Sequence, residues 1–219
     1  MKIVAIDGPA GAGKSTVARQ LAHRLGVPYL DTGAMYRGVT FAVLKNGIEP
    51  DSVAEVANLA RTVKLIIDET TLFVDGFDAT DAIRRDDVTA AVSAVSANSQ
   101  VREELRNRQR EWIREHQGGV VEGRDIGTVV FPEATLKVYL TASPRVRAQR
   151  RVSQNGGDVN QIAAAIAERD LKEVTEFARA ELKLERLEAW DLAYASEKLR
   201  LERYAFSDQE VKQYFPETR

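Results

Sequence analysis

Apolar positions fall in two rhythms along this chain. Lys2-Ile3-Val4-Ala5-Ile6 reads as a buried strand, continuously apolar after Lys2. Val17, Ala18, Leu21, Ala22 and Leu25 recur at helical spacing, which predicts a helix over Ser15–Leu25. Gly26-Val27-Pro28-Tyr29-Leu30 predicts a second short strand, broken by Asp31-Thr32-Gly33. Helices are expected from Ala34 to about Lys45, where Asn46-Gly47 ends the pattern, and from Val53 to Thr62 behind Asp51-Ser52.

From Val63 the period changes. Val63–Ile67 and Thr71–Val74 are β-like, with Asp68-Glu69-Thr70 between them and Asp75-Gly76 as a further turn signal. A small antiparallel ribbon inserted at 63–81 is expected. Helices then cover about Asp86–Ser96 and Ser99–His116. Val120-Val121-Glu122 is a buried strand stopped by Gly123-Arg124-Asp125, and Leu136–Leu140 is another. Ser143-Pro144 pairs an N-cap with a proline at the first helical position, starting a basic helix from Arg145 to about Gln154. Beyond Asn155-Gly156-Gly157-Asp158 the chain reads as helical. Strands alternating with helices predict an α/β fold, a parallel sheet with helices on both faces.

Composition narrows the class. With 219 residues the chain can bury a core as one domain with a small insert. A net charge of −2 argues against a general nucleic-acid or membrane-surface binder. There is no cysteine for a disulfide or thiolate metal site, and the two histidines, His23 and His116, sit apart in polar helical surroundings. No apolar run approaches a membrane span, and the first strand begins at once, so a cytoplasmic protein is expected.

The chemistry is concentrated in Gly8-Pro9-Ala10-Gly11-Ala12-Gly13-Lys14-Ser15, which fits G-x-x-x-x-G-K-[ST] between a predicted strand and a predicted helix. Glycines let such a loop wrap a phosphate closely, and the helix start adds N–H groups and a positive dipole end. Lys14 should reach the β- and γ-phosphates, and the Ser15 hydroxyl should bind Mg²⁺, with Thr16 beside them. The spacing predicts nucleoside triphosphate binding on a P-loop NTPase-type sheet.

Three further strings carry a resemblance. Asp31-Thr32-Gly33-Ala34-Met35-Tyr36-Arg37, Glu122-Gly123-Arg124-Asp125-Ile126-Gly127-Thr128-Val129-Val130-Phe131-Pro132 and Thr141-Ala142-Ser143-Pro144 follow the loop in order. Over about residues 1–171 the chain resembles the bacterial cytidylate kinases, P-loop nucleoside monophosphate kinases. The resemblance implies γ-phosphoryl transfer from ATP to CMP or dCMP, with Mg²⁺, by a monomer acting on small nucleotides. It implies a kinase core over 1–62 and 82–171, with a lid near 145–171 and the 63–81 insert on the monophosphate side. By position, Asp31, Thr32, Tyr36 and Arg37 would line the monophosphate pocket. Ser93, Arg102, Arg124 and Asp125 would read cytosine and hold the acceptor phosphate, and Arg151 of the lid would reach ATP. Glu122 stands where an Asp is common and could order Mg²⁺-bound water, and Arg169 is the candidate transition-state arginine.

Physical chemistry supports such a set, because two polyphosphates approach only if Arg, Lys and Mg²⁺ offset their repulsion. Each residue also has a plainer reading. Arg102 lies among Glu103, Glu104, Arg106 and Arg108, a run that looks like a salt-bridged surface helix. Arg145, Arg147, Arg150 and Arg151 cannot all face one phosphate at helical spacing.

After Asp170 the pattern changes. Leu171-Lys172-Glu173-Val174-Thr175-Glu176 carries glutamates where the family has arginines and an aspartate, and no last strand follows. An atypical helical tail is expected over 172–219, with Trp190, Leu199, Tyr204 and Phe206 available to cover a sheet edge. Leu187 to Leu199, continuing through Arg203–Ser207 to Tyr214-Phe215-Pro216, resembles a piece of the thimet-oligopeptidase-like zinc peptidases without their H-E-x-x-H. The alternative to a kinase is a nucleotide-binding protein whose catalytic elements have been replaced.

Overall fold

Strand β1 (Lys2–Asp7) is buried from Ile3 onward, as its apolar run requires. The computed structural model describes residues 1–168 and 170, which fall into two units. The first comprises Met1–Ala5 with Ser15–Leu136, the second Ile6–Lys14 with the chain from Lys137 onward. The expectations for Arg169 and for the 172–219 tail, including its peptidase-like stretch, lie outside the described residues.

In the first unit the strands lie in the order β2 (Tyr29–Asp31), β6 (Gly118–Gly123), β1. β2 and β6 run parallel, with Tyr29 opposite Val120, Leu30 opposite Val121 and Asp31 opposite Glu122. This register brings the carboxyl ends of two strands level, where open α/β sheets place ligands.

Helix α2 (Thr32–Lys45) starts two residues earlier than the apolar pattern suggests. Asp31 Oδ1 accepts from Ala34 N–H at 3.0 Å, so Asp31 is the N-cap, and Thr32-Gly33 form the first turn rather than a break. α2 packs against α4 (Asp86–Ala97), and α3 (Val53–Thr62) against α5 (Ser99–Glu115). The core joins Leu30, Met35, Val39, Val43, Leu105 and Ile113 to the sheet.

α5 buries Val101, Leu105, Gln109 and Ile113, one residue per turn, and carries its charges between them. Arg108 pairs with Glu104 at 2.7 Å, as a surface helix would. It also donates to the carbonyls of Ala60 and Val63, both at 2.7 Å, closing the carboxyl end of α3.

The insert has three strands, β3 (Leu65–Ile67), β4 (Leu72–Val74) and β5 (Phe77–Asp78), all antiparallel. The third strand, absent from the sequence expectation, is too short to show alternation. The Asp75-Gly76 turn creates it, with both residues at positive φ (49° and 79°) as a two-residue hairpin demands. Phe77 stacks on Phe41 of α2, 5.6 Å between ring centres.

In the second unit the end of β1 lies beside β7 (Leu136–Tyr139), and Leu140 N–H donates to the Asp7 carbonyl at 2.7 Å. Helix α6 (Pro144–Asn155) begins at the expected cap, Ser143 Oγ accepting from Val146 N–H. Residues 159–168 are helical. Among the described residues no helix is long and apolar enough to cross a membrane.

Candidate functional site

The phosphate loop belongs to the second unit. Gly8 sits at φ 150°, and a Cβ there would collide with the Leu140 carbonyl oxygen, so only glycine fits. α1 (Lys14–Leu25) begins at Lys14, and its first turn holds no acidic residue to oppose an anion at its positive end. Ser15 and Thr16 follow within that turn. Lys14 Nζ donates to the Pro9 carbonyl at 3.1 Å, keeping the ammonium folded over the loop.

Two arginines of α6 meet the same loop. Arg147, 3% exposed, donates to the carbonyls of Ala142 (2.9 Å) and Ala10 (3.3 Å) and pairs with Asp170. Arg150 donates to the carbonyls of Ala12 at 2.9 Å and Gly11 at 3.3 Å. Three cations therefore crowd one short loop, a field suited to a polyphosphate. Arg147 and Arg150 are three apart on one helix face, and they rather than Arg151 hydrogen-bond to the loop carbonyls.

The second cluster lies in the first unit, at the level ends of β2 and β6. Thr32 Oγ1 donates to the Glu122 carbonyl at 2.7 Å, tying the start of α2 to β6. Gly123 is required beneath it, because a Cβ would come within 2.7 Å of Thr32 Oγ1 and 2.6 Å of Ile126. Glu122, 2% exposed, accepts from the Tyr29 hydroxyl. Burial, then the charges of Asp31 and Glu122, push the Tyr29 phenol far above its ordinary range, so it remains a protonated donor.

Arg124 and Asp125 follow β6 directly, both partly buried. Asp125 Oδ2 accepts from Arg102 at 2.6 Å and from Arg106 at 3.2 Å. Tyr36 lies in the field of this trio. Its phenol is pushed up mainly by burial, with Arg102 and Arg106 pulling it down and Asp125 pushing it up. Arg37 donates to the Ile83 carbonyl and to Thr89 Oγ1, both at 2.9 Å.

Of the residues singled out by sequence, Tyr36, Arg102 and Asp125 come together, and Asp31 and Thr32 stand at the neighbouring strand end. Ser93 is exposed on α4, and its carbonyl accepts from Ser96 Oγ. The sequence pattern assigns no role to Arg106 or Arg110. Arg110 donates to the carbonyls of Val129 (3.0 Å) and Val130 (3.1 Å), at the end of a π-helical turn over Ile126–Val130. That turn follows Asp125 directly, and π turns recur where helical backbone is bent around a site. The available signal was the spacing of Arg102, Arg106 and Arg110, four apart on one helix stripe.

A glycine loop between strand and lysine-led helix, with arginines over it, defines a P-loop nucleotide-binding protein of the α/β class. Comparison with known proteins makes this more specific. The family model described as cytidylate kinase matches residues 4–185, past the limit near 171 that the motifs alone suggest. The cytidylate kinase of Mycobacterium leprae (strain Br4923) is 49% identical over 77% of this chain and 78% of that protein. That of Mycobacterium avium (strain 104) is 48% identical over 77% of this chain and 78% of its own length. A bifunctional pantoate ligase/cytidylate kinase of Synechococcus sp. (strain RCC307) is 48% identical over 79% of this chain and 36% of that longer protein. The chain belongs to the cytidylate kinase family. A nucleotide-binding protein without catalysis is not favoured by relatives that carry a kinase name over most of this chain.

Proposed function

We propose that this protein transfers the γ-phosphoryl group of ATP to CMP or dCMP, giving ADP and CDP or dCDP. The observation that carries this reading is the Arg102–Asp125 pair, at the end of β6 in a member of the cytidylate kinase family. Cytosine offers an amino donor beside ring acceptors, and a carboxylate beside a guanidinium complements that edge.

In this reading Gly8, Pro9, Ala10, Gly11, Ala12 and Gly13 cradle the triphosphate with Lys14, Ser15 and Thr16, and Arg151 approaches it from α6. Asp31, Thr32, Tyr36, Arg37 and Ser93 surround the acceptor, Arg102 and Asp125 read its base, and Arg124 grips its phosphate. Arg124 and Arg169 then spread the charge that builds on the phosphoryl group in flight.

Ser15 offers a hard hydroxyl oxygen suited to Mg²⁺. Among the described residues no group of three or more His, Cys, Asp or Glu could hold a metal, which fits an ion shared with substrate phosphates. Bound there, Mg²⁺ would lower the repulsion between the reacting phosphates.

Calorimetric titration of the protein with CMP and with AMP, without ATP, tests the base reading. CMP is expected to bind at least about tenfold more tightly than AMP. Equal affinities would contradict it.

A further inference from the structure

Helix α5 sends two guanidinium groups to one carboxylate oxygen. Arg102 makes the shorter contact with Asp125 Oδ2, 2.6 Å, and Arg106, one turn further along, makes one of 3.2 Å. The resemblance to the kinases assigns Arg102, whereas Arg106 falls in the charged run that reads as a salt-bridged surface helix. Its environment differs from that of a surface cation. Its side chain is only 27% exposed, and its Nε is shut off from solvent without any hydrogen-bond partner among the described residues.

An arginine keeps its charge in any such setting, so a buried Nε–H without an acceptor is a standing penalty in the empty site. Two guanidiniums against one carboxylate also leave a surplus positive charge. The neighbouring Tyr36 phenol cannot neutralise it, since burial keeps its proton in place. Both facts call for an incoming acceptor atom. A phosphate would suffer the Asp125 carboxylate beside it. A base edge that presents an amino donor next to an acceptor suits carboxylate and Nε–H together.

We propose that Arg106 is a further base-reading residue, whose Nε–H donates to a ring nitrogen or carbonyl of the acceptor pyrimidine while Asp125 takes the amino group. The proposal rests on the kinase reading above. Arg106 thus serves as both a clamp on Asp125 and a direct contact.

The test compares the wild type with Arg106→Met and Arg106→Lys, using CMP, UMP and ATP as varied substrates. Wild-type turnover with CMP is established first; its absence would count against the kinase reading itself. With turnover in hand, Arg106→Met is expected to raise the KM for CMP about tenfold or more and to narrow the preference for CMP over UMP. The KM for ATP should not move. Arg106→Lys keeps the charge beside Asp125 but removes Nε, and it is expected to remain impaired for CMP. An unchanged KM for CMP in Arg106→Met would overturn the proposal, as would full recovery by lysine. If the methionine variant fails to fold, the lysine variant decides by the same readout.

Discussion

Replacement of Lys14 by alanine is expected to lower kcat by about 10²–10³-fold, the cost of removing one preorganised charge from a transferring phosphoryl group. Lys14 is the first residue of α1, and its ammonium is held by the Pro9 carbonyl rather than packed in the core. Its loss therefore removes charge from the loop without opening a cavity. Arg147 and Arg150 remain on the loop carbonyls and keep the loop shaped. The variant should melt close to the wild type while producing almost no ADP. Normal turnover in a folded Lys14→Ala protein would contradict the role given to the loop.

The second large effect is expected at Asp125. Asp125→Ala removes the shared partner of Arg102 and Arg106, whose side chains are 36% and 27% exposed. Water screens the Arg102 guanidinium at that exposure, and the Arg106 Nε has no partner to lose among the described residues, so the stability loss should be about 1 kcal/mol, below the cost of breaking a fully buried pair. The effect on the acceptor should be greater. Losing the group that accepts from the cytosine amino is expected to raise the KM for CMP about 10²-fold, with the KM for ATP unchanged. Steady-state kinetics with each substrate varied in turn measures this split. A change confined to ATP would remove Asp125 from the acceptor pocket.

Much of the scaffold could be read from the chain because local signals agreed with one another. The strand over Lys2–Ile6, the glycine loop and the helix behind it are each specified by their own residues. α3 occupies Val53–Thr62, the span its apolar spacing and Asp51-Ser52 predict. The misreadings share a physical origin, because a side chain or a distant partner decides them. Asp31 turns its carboxylate onto Ala34 N–H and makes a helix start where the residue types suggest a break. β5 exists because β4 is there to pair with it.

The arginine-rich helix is the sharper case. Composition makes α5 look like a solvated face, and Arg108 with Glu104 behaves as such a pair. Yet Arg108 also closes α3, Arg110 holds the π turn, and Arg102 and Arg106 reach Asp125. Those partners lie about twenty or more residues away, beyond any pattern of local spacing. The arginines of α6 show the same limit. Helical spacing restricts which of them can share a face, but the contacts with Ala10, Gly11 and Ala12 select Arg147 and Arg150.

The most direct measurement is ADP production by the purified 219-residue chain with Mg²⁺ and ATP, with CMP, dCMP, UMP and AMP supplied in parallel. ATP binding would be followed on the same sample. Turnover that depends on CMP or dCMP, with AMP inert, is the predicted result. ATP binding without any turnover dependent on CMP or dCMP would contradict the account.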